Sequence, residues 1–330
     1  MRVAISVLIA TRNRAPQLLR VLHSLQQQSL ESENFEVIVI DNGSEDNTNS
    51  ALEGCLTTFP LVRLFEPRVG KSYALNCGLD AASGSLIVFT DDDVTASPEW
   101  LESLWRATQR FPAVDVLCGP IVPDFPPVTP EWLHHHFFAS ALFGRFEPGI
   151  PEGPLPACML PFGANFAARH SAISGERFRL DLGPSRENGP LFCEDTEFLQ
   201  RFRCEGRQFV FVPAAQVTHH VSPEQTQPSS ICERAFHFGR GIFSYLRKPQ
   251  YFHVPLGFAA DSQDESPQRQ LERGALINYY CGQLCQGGSE KNESFAGELL
   301  MLLERLGIRT HEGLLCACAR TSYRRYLEQL

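Results

Sequence analysis

Three consecutive carboxylates, Asp91-Asp92-Asp93, follow the apolar run Ser85 to Phe89. Like charges at that spacing repel one another and cost stability unless a cation neutralises them. Carboxylate oxygens suit a hard divalent ion, and Mg²⁺ typically combines one or two carboxylates with substrate phosphates. A solvated acidic turn stabilising a helix N-terminus is the alternative that the triplet alone leaves open. Other clusters carry less. His134-His135-His136 are adjacent in sequence, so their side chains diverge and read as a surface or lid feature. Cys281 with Cys285, and Cys316 with Cys318, lack the spacing of zinc sites. Gly70-Lys71-Ser72 suggests a phosphate loop, but that loop needs a glycine five positions before Gly70, where Phe65 stands.

The acidic triplet sits in a segment where short apolar runs alternate with amphipathic stretches, the pattern of βα units around a mostly parallel sheet. Strands are expected at Val3 to Ala10, Phe35 to Ile40, Leu61 to Phe65 and Ser85 to Phe89. Helices are expected at Pro16 to Gln28, Asp46 to Leu56 and Lys71 to Ala82, and from Pro98 through Trp105. Ligands of such sheets bind beyond the carboxyl ends of the strands. Thr11, Asp41 and the Asp91 cluster all fall at such ends, which aims three polar groups at one crevice. From Val122 to Leu160, proline, glycine and aromatics predict a long connection of the lid or binding-loop kind. Regular structure resumes at Phe162 to Arg169, then a helix from Glu194 to Cys204 and a strand from Gln208 to Val212. The tail after Pro249 is polar to Gln270 and then helical, and Leu299, Leu300, Leu302, Leu303 and Leu306 give it an apolar face.

At 330 residues, with 43% hydrophobic and 20% charged residues, the chain has the composition of a globular protein with a substantial core. Its formal charge of -9 lacks the basic excess that nucleic-acid binding needs. The run Val3 to Ala10 is too short to span a bilayer, so any membrane association is expected to be peripheral. The 11 scattered cysteines read as reduced cytosolic thiols.

Four segments in order resemble the successive signatures of family 2 glycosyltransferases with the GT-A fold. They are Ser6 to Arg14, Val39 to Ser44, Gly70 to Asn76 and Phe89 to Asp93. With Phe162 to Phe166, Glu194 to Phe198 and Pro213 to His219, the resemblance extends over residues 3 to 247. It implies a Rossmann-like α/β fold and an inverting, metal-dependent hexosyltransferase that uses a nucleoside diphosphate sugar, UDP-linked by family habit. Thr11, Arg12, Asp41, Lys71, Asp91 and Asp92 would then contact the nucleotide sugar. Asp93 would be the direct metal ligand, with Asp91 and His219 as further candidates and Mn²⁺ or Mg²⁺ as the ion. His219 is preferred to His220 because Pro213, Ala215, Val217 and His219 keep the family's alternation. Asp195 would be the general base, with Glu194 second.

The resemblance also implies that Trp132 and Phe162 to Phe166 cradle sugars. Each residue has a plainer reading: Asp41 as an Asx-turn residue, Lys71 as an exposed helix-start lysine, Glu194-Asp195 as an acidic first turn, His219 as a structural histidine. Arg234, Arg240 and Lys248 could meet a diphosphate or a membrane surface, but read first as a solvated helix face.

The expected organisation is a glycosyltransferase domain over 1–250, divided into a nucleotide-sugar half (1–121) and an acceptor half (122–250), and a helical extension over 251–330. The acceptor is a glycan, a lipid-linked molecule or a small molecule, and the location cytoplasmic or peripheral at the inner membrane face, with a homodimer compatible. A catalytically inactive carbohydrate- or nucleotide-binding relative, or a nucleotidyltransferase, is the rival. The latter is expected to carry a glycine- and arginine-rich loop after the first strand, which Thr11 to Arg14 lacks.

Overall fold

The computed structural model describes residues 3–227 except 128, 130–133, 135, 158 and 187–191, together with 230 and 234. The expected helical extension over 251–330, and with it Trp132, Arg240 and Lys248, lies outside the described residues. Among those described, one sheet runs in the order β3-β2-β1-β4-β9-β6-β10-β8. Its strands are β1 (Ile5–Thr11), β2 (Phe35–Asp41), β3 (Leu61–Phe65), β4 (Leu86–Thr90), β6 (Val116–Cys118), β8 (Gly153–Pro154), β9 (Phe166–Arg169) and β10 (Phe209–Phe211). A second sheet pairs β5 (Val94–Ala96), β11 (Val217–His220) and β7 (Ile121–Asp124) in the order β5-β11-β7.

The first four strands of the large sheet are parallel, with Thr11 level with Asp41 and Ile9 level with Thr90. Every side chain of β1 from Ile5 to Ile9, and all of β2, is buried, as expected of strands covered on both faces. The covering helices are α1 (Ala15–Leu25), α2 (Thr48–Glu53), α3 (Lys71–Ala81) and α4 (Trp100–Arg110). Pro16 lies in the first turn of α1, where its missing N–H costs nothing.

β9 breaks the parallel pattern. It runs antiparallel to both β4 and β6, with Phe166 opposite Phe89. Its start therefore abuts the end of β4, which brings Phe162 to Asn165 beside the acidic turn. Thr90 Oγ1 donates to the Ala164 carbonyl at 2.9 Å and fixes that approach.

The expected long connection from Val122 to Leu160 is not wholly irregular: it carries β7, α5 (His136–Phe143) and β8. Prolines and aromatics mask these elements because β7 is held by pairing to β11, whose sequence lies almost a hundred residues away, rather than by a local period. His134 is exposed and meets the Phe125 ring.

Helix α6 (Glu194–Cys204) begins and ends where the sequence predicts. Phe198 stacks on Phe178 with centroids 4.1 Å apart, and both rings meet Phe89 on β4. Truncating such a buried phenylalanine typically costs about 3–5 kcal/mol, so this contact holds the helix to the sheet. Among the described residues Cys55, Cys77, Cys118, Cys193 and Cys204 are free thiols. No described helix is long and apolar enough to cross a membrane.

Candidate active site

A crevice of about 580 Å³ opens at the carboxyl ends of β1 and β4. Thr11, Arg12, Lys71, Asp91, Asp92, Asp93, Glu194, Asp195 and His219 all line it. Asp41 does not. It is buried behind the lining residues, and its Oδ1 accepts the Ser44 N–H at 2.9 Å in an Asx turn. The neighbouring Asn42 reaches the crevice instead, accepting the Gly70 N–H at 2.6 Å and donating to the Glu66 and Arg68 carbonyls. That network ties the end of β2 to the start of α3 and so sets where Lys71 emerges.

The three acids do not share one cation. Asp91 pairs with Lys71 Nζ at 2.7 Å. Asp92 takes Arg14 Nη1 at 2.8 Å and the Thr11 hydroxyl at 2.8 Å. Asp93 takes the same Arg14 nitrogen at 2.9 Å. The repulsion that argues for a metal from sequence is thus relieved in part by Lys71 and Arg14, and Arg14 is a contributor that sequence reasoning passed over. Burial pushes the Asp92 carboxyl up to about 6 against the pull of Arg14. Burial also opposes ionisation of Asp93, but His219 and then Arg14 and Arg234 hold it well below the usual carboxylate range.

His219 and His220 are sorted by β11. Because β11 pairs antiparallel with β5, His219 lies opposite Val94, and the His220 N–H donates to the Asp93 carbonyl at 2.9 Å. His219 is buried and His220 is turned away to Thr95 and Asp124. A backbone carbonyl can only accept, so the 2.8 Å contact between His219 Nδ1 and the Phe143 oxygen places a proton on Nδ1. Nε2 then faces Asp93 Oδ1 at 3.5 Å. Desolvation alone would lower the His219 pKa, yet Asp93 raises it above the ordinary value.

These two residues bear on whether a divalent ion fits. Asp93 Oδ1 is buried without a hydrogen bond, an orphaned acceptor of the kind a cation satisfies. A metal-binding histidine typically donates its other N–H to a carbonyl, as His219 does. The chain therefore offers two fitting donors. Among the described residues no group of three or more His, Cys, Asp or Glu could hold a metal, so Asp91, Asp93 and His219 do not form one three-donor cluster. Asp91 is engaged by Lys71 instead.

The opposite wall is the first turn of α6. Cys193 precedes it with φ of 80°, a left-handed conformation that β-carbon sterics disfavour and that aims the turn into the crevice. Asp195 Oδ2 accepts the Gly163 N–H at 2.5 Å and Oδ1 accepts the Thr196 N–H at 2.7 Å. Oδ1 also takes the Thr196 hydroxyl at 3.3 Å, so of the two oxygens Oδ2 is the one that keeps a lone pair for another donor. Glu194 is more deeply buried, 3.3 Å from Lys71 Nζ, and burial pushes its carboxyl up to about 7 despite that lysine. Lys71 itself stays charged: burial works against it, but Asp91 and Glu194 raise its pKa well above the ordinary value. Lys71 is thus a half-buried bridge between the two acidic walls and not an exposed helix start.

Within Phe162 to Phe166 the roles divide. Phe162, Gly163 and Ala164 line the crevice. Asn165 is fully buried, accepting from Trp100 Nε1 at 2.8 Å and donating to the Pro120 and Ala215 carbonyls, which is a structural knot. Arg234 is not on a solvated face: it lines the crevice near Phe143 and Phe192.

The sequence model for glycosyl transferase family 2 matches residues 6–173. The succinoglycan biosynthesis protein ExoM of Rhizobium meliloti (strain 1021) is 30% identical over 232 residues, 69% of this chain and 70% of that protein. The glucosyl-dolichyl phosphate glucuronosyltransferase of Haloferax volcanii is 26% identical over 239 residues, 72% of this chain and 74% of that one. Among solved structures, the mannosyltransferase PcManGT from Pyrobaculum calidifontis, in complex with GDP-Man and Mn²⁺, aligns with a TM-score of 0.58 at 18% identity. That alignment covers 98% of this chain and 87% of that one. S. aureus TarS 1-349 in complex with UDP-GlcNAc aligns at 0.54 with 15% identity, covering 99% and 92%. At these identities the two structures speak for the fold alone.

Proposed function

The chain belongs to glycosyl transferase family 2, and we propose that it moves a hexose from a nucleoside diphosphate donor to an acceptor hydroxyl with inversion at the anomeric carbon. It is a glycosyltransferase with the GT-A fold. The observation that carries the finer reading is the single crevice in which the acidic turn 91–93 faces Asp195.

In this reading Thr11, Arg12 and Asn42 line the nucleoside end, with Asp41 behind them shaping the turn. Lys71 and Arg14 balance the acids around the diphosphate. Asp93 and His219 would hold Mn²⁺ or Mg²⁺, with phosphate and water completing the ion's shell. When bound, such an ion stabilises the negative charge of the departing nucleoside diphosphate.

Asp195 Oδ2 accepts the acceptor hydroxyl's proton through its remaining lone pair as the oxygen attacks the anomeric carbon from the face opposite the leaving group. The Gly163 and Thr196 amides hold that carboxylate still, which is what makes the geometry productive. Glu194 keeps Lys71 on the acceptor side and is the second candidate base. Phe162 and Phe192 offer faces on which sugar rings stack.

UDP is the proposed donor base, and the relatives named for GDP-Man and UDP-GlcNAc support either nucleotide. A glycan or lipid-linked acceptor at the inner membrane face draws support from the relatives named for succinoglycan biosynthesis and for a dolichyl phosphate substrate. The domain division at residue 250, with a separate extension beyond it, is part of the proposal. Calorimetric titration of UDP and of GDP, each with Mn²⁺ and then with EDTA, tests it. Metal-dependent binding of one nucleotide is expected; binding of neither refutes the reading.

A further inference from the structure

Every acid on the two facing walls of the crevice can be matched to a group that balances it, and the cations there can be sorted the same way. Lys71 is committed to Asp91 and Glu194, and Arg14 to Asp92 and Asp93. Arg186 stands mostly exposed, 3.9 Å from Glu45. Arg12 donates to the Gly43 carbonyl at the nucleoside end. Arg234 is the exception at the phosphate end. Among the described residues no carboxylate forms an ion pair with it, and its one hydrogen bond runs from Nε to the Leu142 carbonyl. Its guanidinium lies 5.2 Å from the Phe192 ring centroid and 5.8 Å from that of Phe143.

An arginine tethered through Nε and packed on two aromatic rings has a fixed fork, and among the described residues nothing takes the protons of its Nη groups. That geometry suits a planar pair of phosphate oxygens. The tether and rings belong to α5 and to the loop before α6, so the walls of the crevice hold the fork. A charge set in such a place without a carboxylate is costly unless an anion arrives. Its field already reaches Asp93, one of the two proposed metal donors, and burial lowers the pKa of Arg234 while Asp93 opposes that fall.

We infer that Arg234 binds the terminal phosphate of the nucleoside diphosphate, so that the enzyme distinguishes a diphosphate from a monophosphate through this side chain. The inference rests on the proposed nucleotide-sugar reading. It adds a residue that the acidic turn does not supply and a recognition step that follows bond cleavage, because the same fork would hold the product diphosphate.

The test is titration of UDP, UMP, GDP and GMP, each with Mn²⁺, into the full-length wild-type protein and into Arg234→Ala, Arg234→Met and Arg234→Lys. Loss of a charge-assisted bond predicts a diphosphate affinity lower by about 10- to 100-fold in the alanine and methionine variants, with monophosphate affinity unchanged. Lysine should recover part of the loss. The methionine variant keeps the packing between the rings and carries the result should alanine fail to fold. Equal weakening of di- and monophosphates would make Arg234 a structural residue, and unchanged diphosphate affinity would remove it from the site; either overturns the inference. If the wild-type protein binds no nucleotide, the donor reading itself has failed and the inference goes with it.

Discussion

Gly163 is the position where a single methyl group would test the proposed base most directly. A β-carbon built there lies 2.6 Å from Asp195 Oδ2 and 3.0 Å from its β-carbon. Ordinary non-bonded contact between heavy atoms is about 3.5 Å, so Gly163→Ala must drive the carboxylate back by about 1 Å. Alanine adds no backbone strain of its own, because Gly163 is not among the positive-φ glycines, so the cost of the change is the clash itself. Nor does α6 yield, since Phe198 and Phe202 lock it against the core. The Asp195 side chain moves instead.

Misplacing a reacting group by about 1 Å costs on the order of 100-fold in rate. We therefore expect kcat for sugar transfer to fall by about 100-fold in Gly163→Ala, with nucleotide affinity within about twofold of wild type, because the acidic turn is untouched. The double variant Gly163→Ala/Asp195→Asn should be no slower than Asp195→Asn alone, as both changes act through one carboxylate. A folded Gly163→Ala protein with near-normal kcat would refute the placement of the base. A loss of nucleotide affinity equal to the loss of rate would put Gly163 on the donor side.

Asp93→Ala should abolish the metal-dependent part of UDP or GDP affinity by calorimetry, and affinity that still responds to EDTA would sink the metal assignment. Asp195→Asn should lower kcat by about 100- to 10,000-fold while nucleotide affinity stays within about threefold; turnover close to wild type would rule Asp195 out. Glu194 gives a pH prediction. Its carboxyl, about 7 in the folded protein against an ordinary 4.5, binds more protons folded than unfolded between those values, so its contribution to stability is lost as pH rises through that window. Relative to Glu194→Gln, the wild type should therefore lose up to about 3 kcal/mol between pH 4 and pH 8 in urea melts, and a gap independent of pH would contradict the shift.

The first half of the fold was readable because its signals are local. Largely apolar runs marked β1, β2 and β4, and polar turn residues follow each of them. The bounds of α6 followed from an acidic first turn and a helical period of Phe198, Leu199 and Phe202. The parallel βα pattern alone put Thr11, Asp41 and the Asp91 turn at neighbouring strand ends.

What those residues do with one another was decided by pairings between distant segments. β5 and β11 are three and four residues long, too short to show a period, yet their antiparallel register is what turns His219 to Asp93 and His220 away. Three adjacent aspartates look equivalent in sequence, but the packed turn sorts them: Asp91 meets Lys71, while Asp92 and Asp93 share one Arg14 nitrogen. Asn165 looks like part of a sugar cradle until Trp100 and the Pro120 and Ala215 carbonyls are seen to use its whole amide. The parallel strands β1 to β4 and the chemical groups at their carboxyl ends can be read from sequence, because burial pattern is a property of each segment. Tertiary structure alone decided which cation faces which acid, because a hydrogen bond depends on ångström-scale separations that only the packed chain defines.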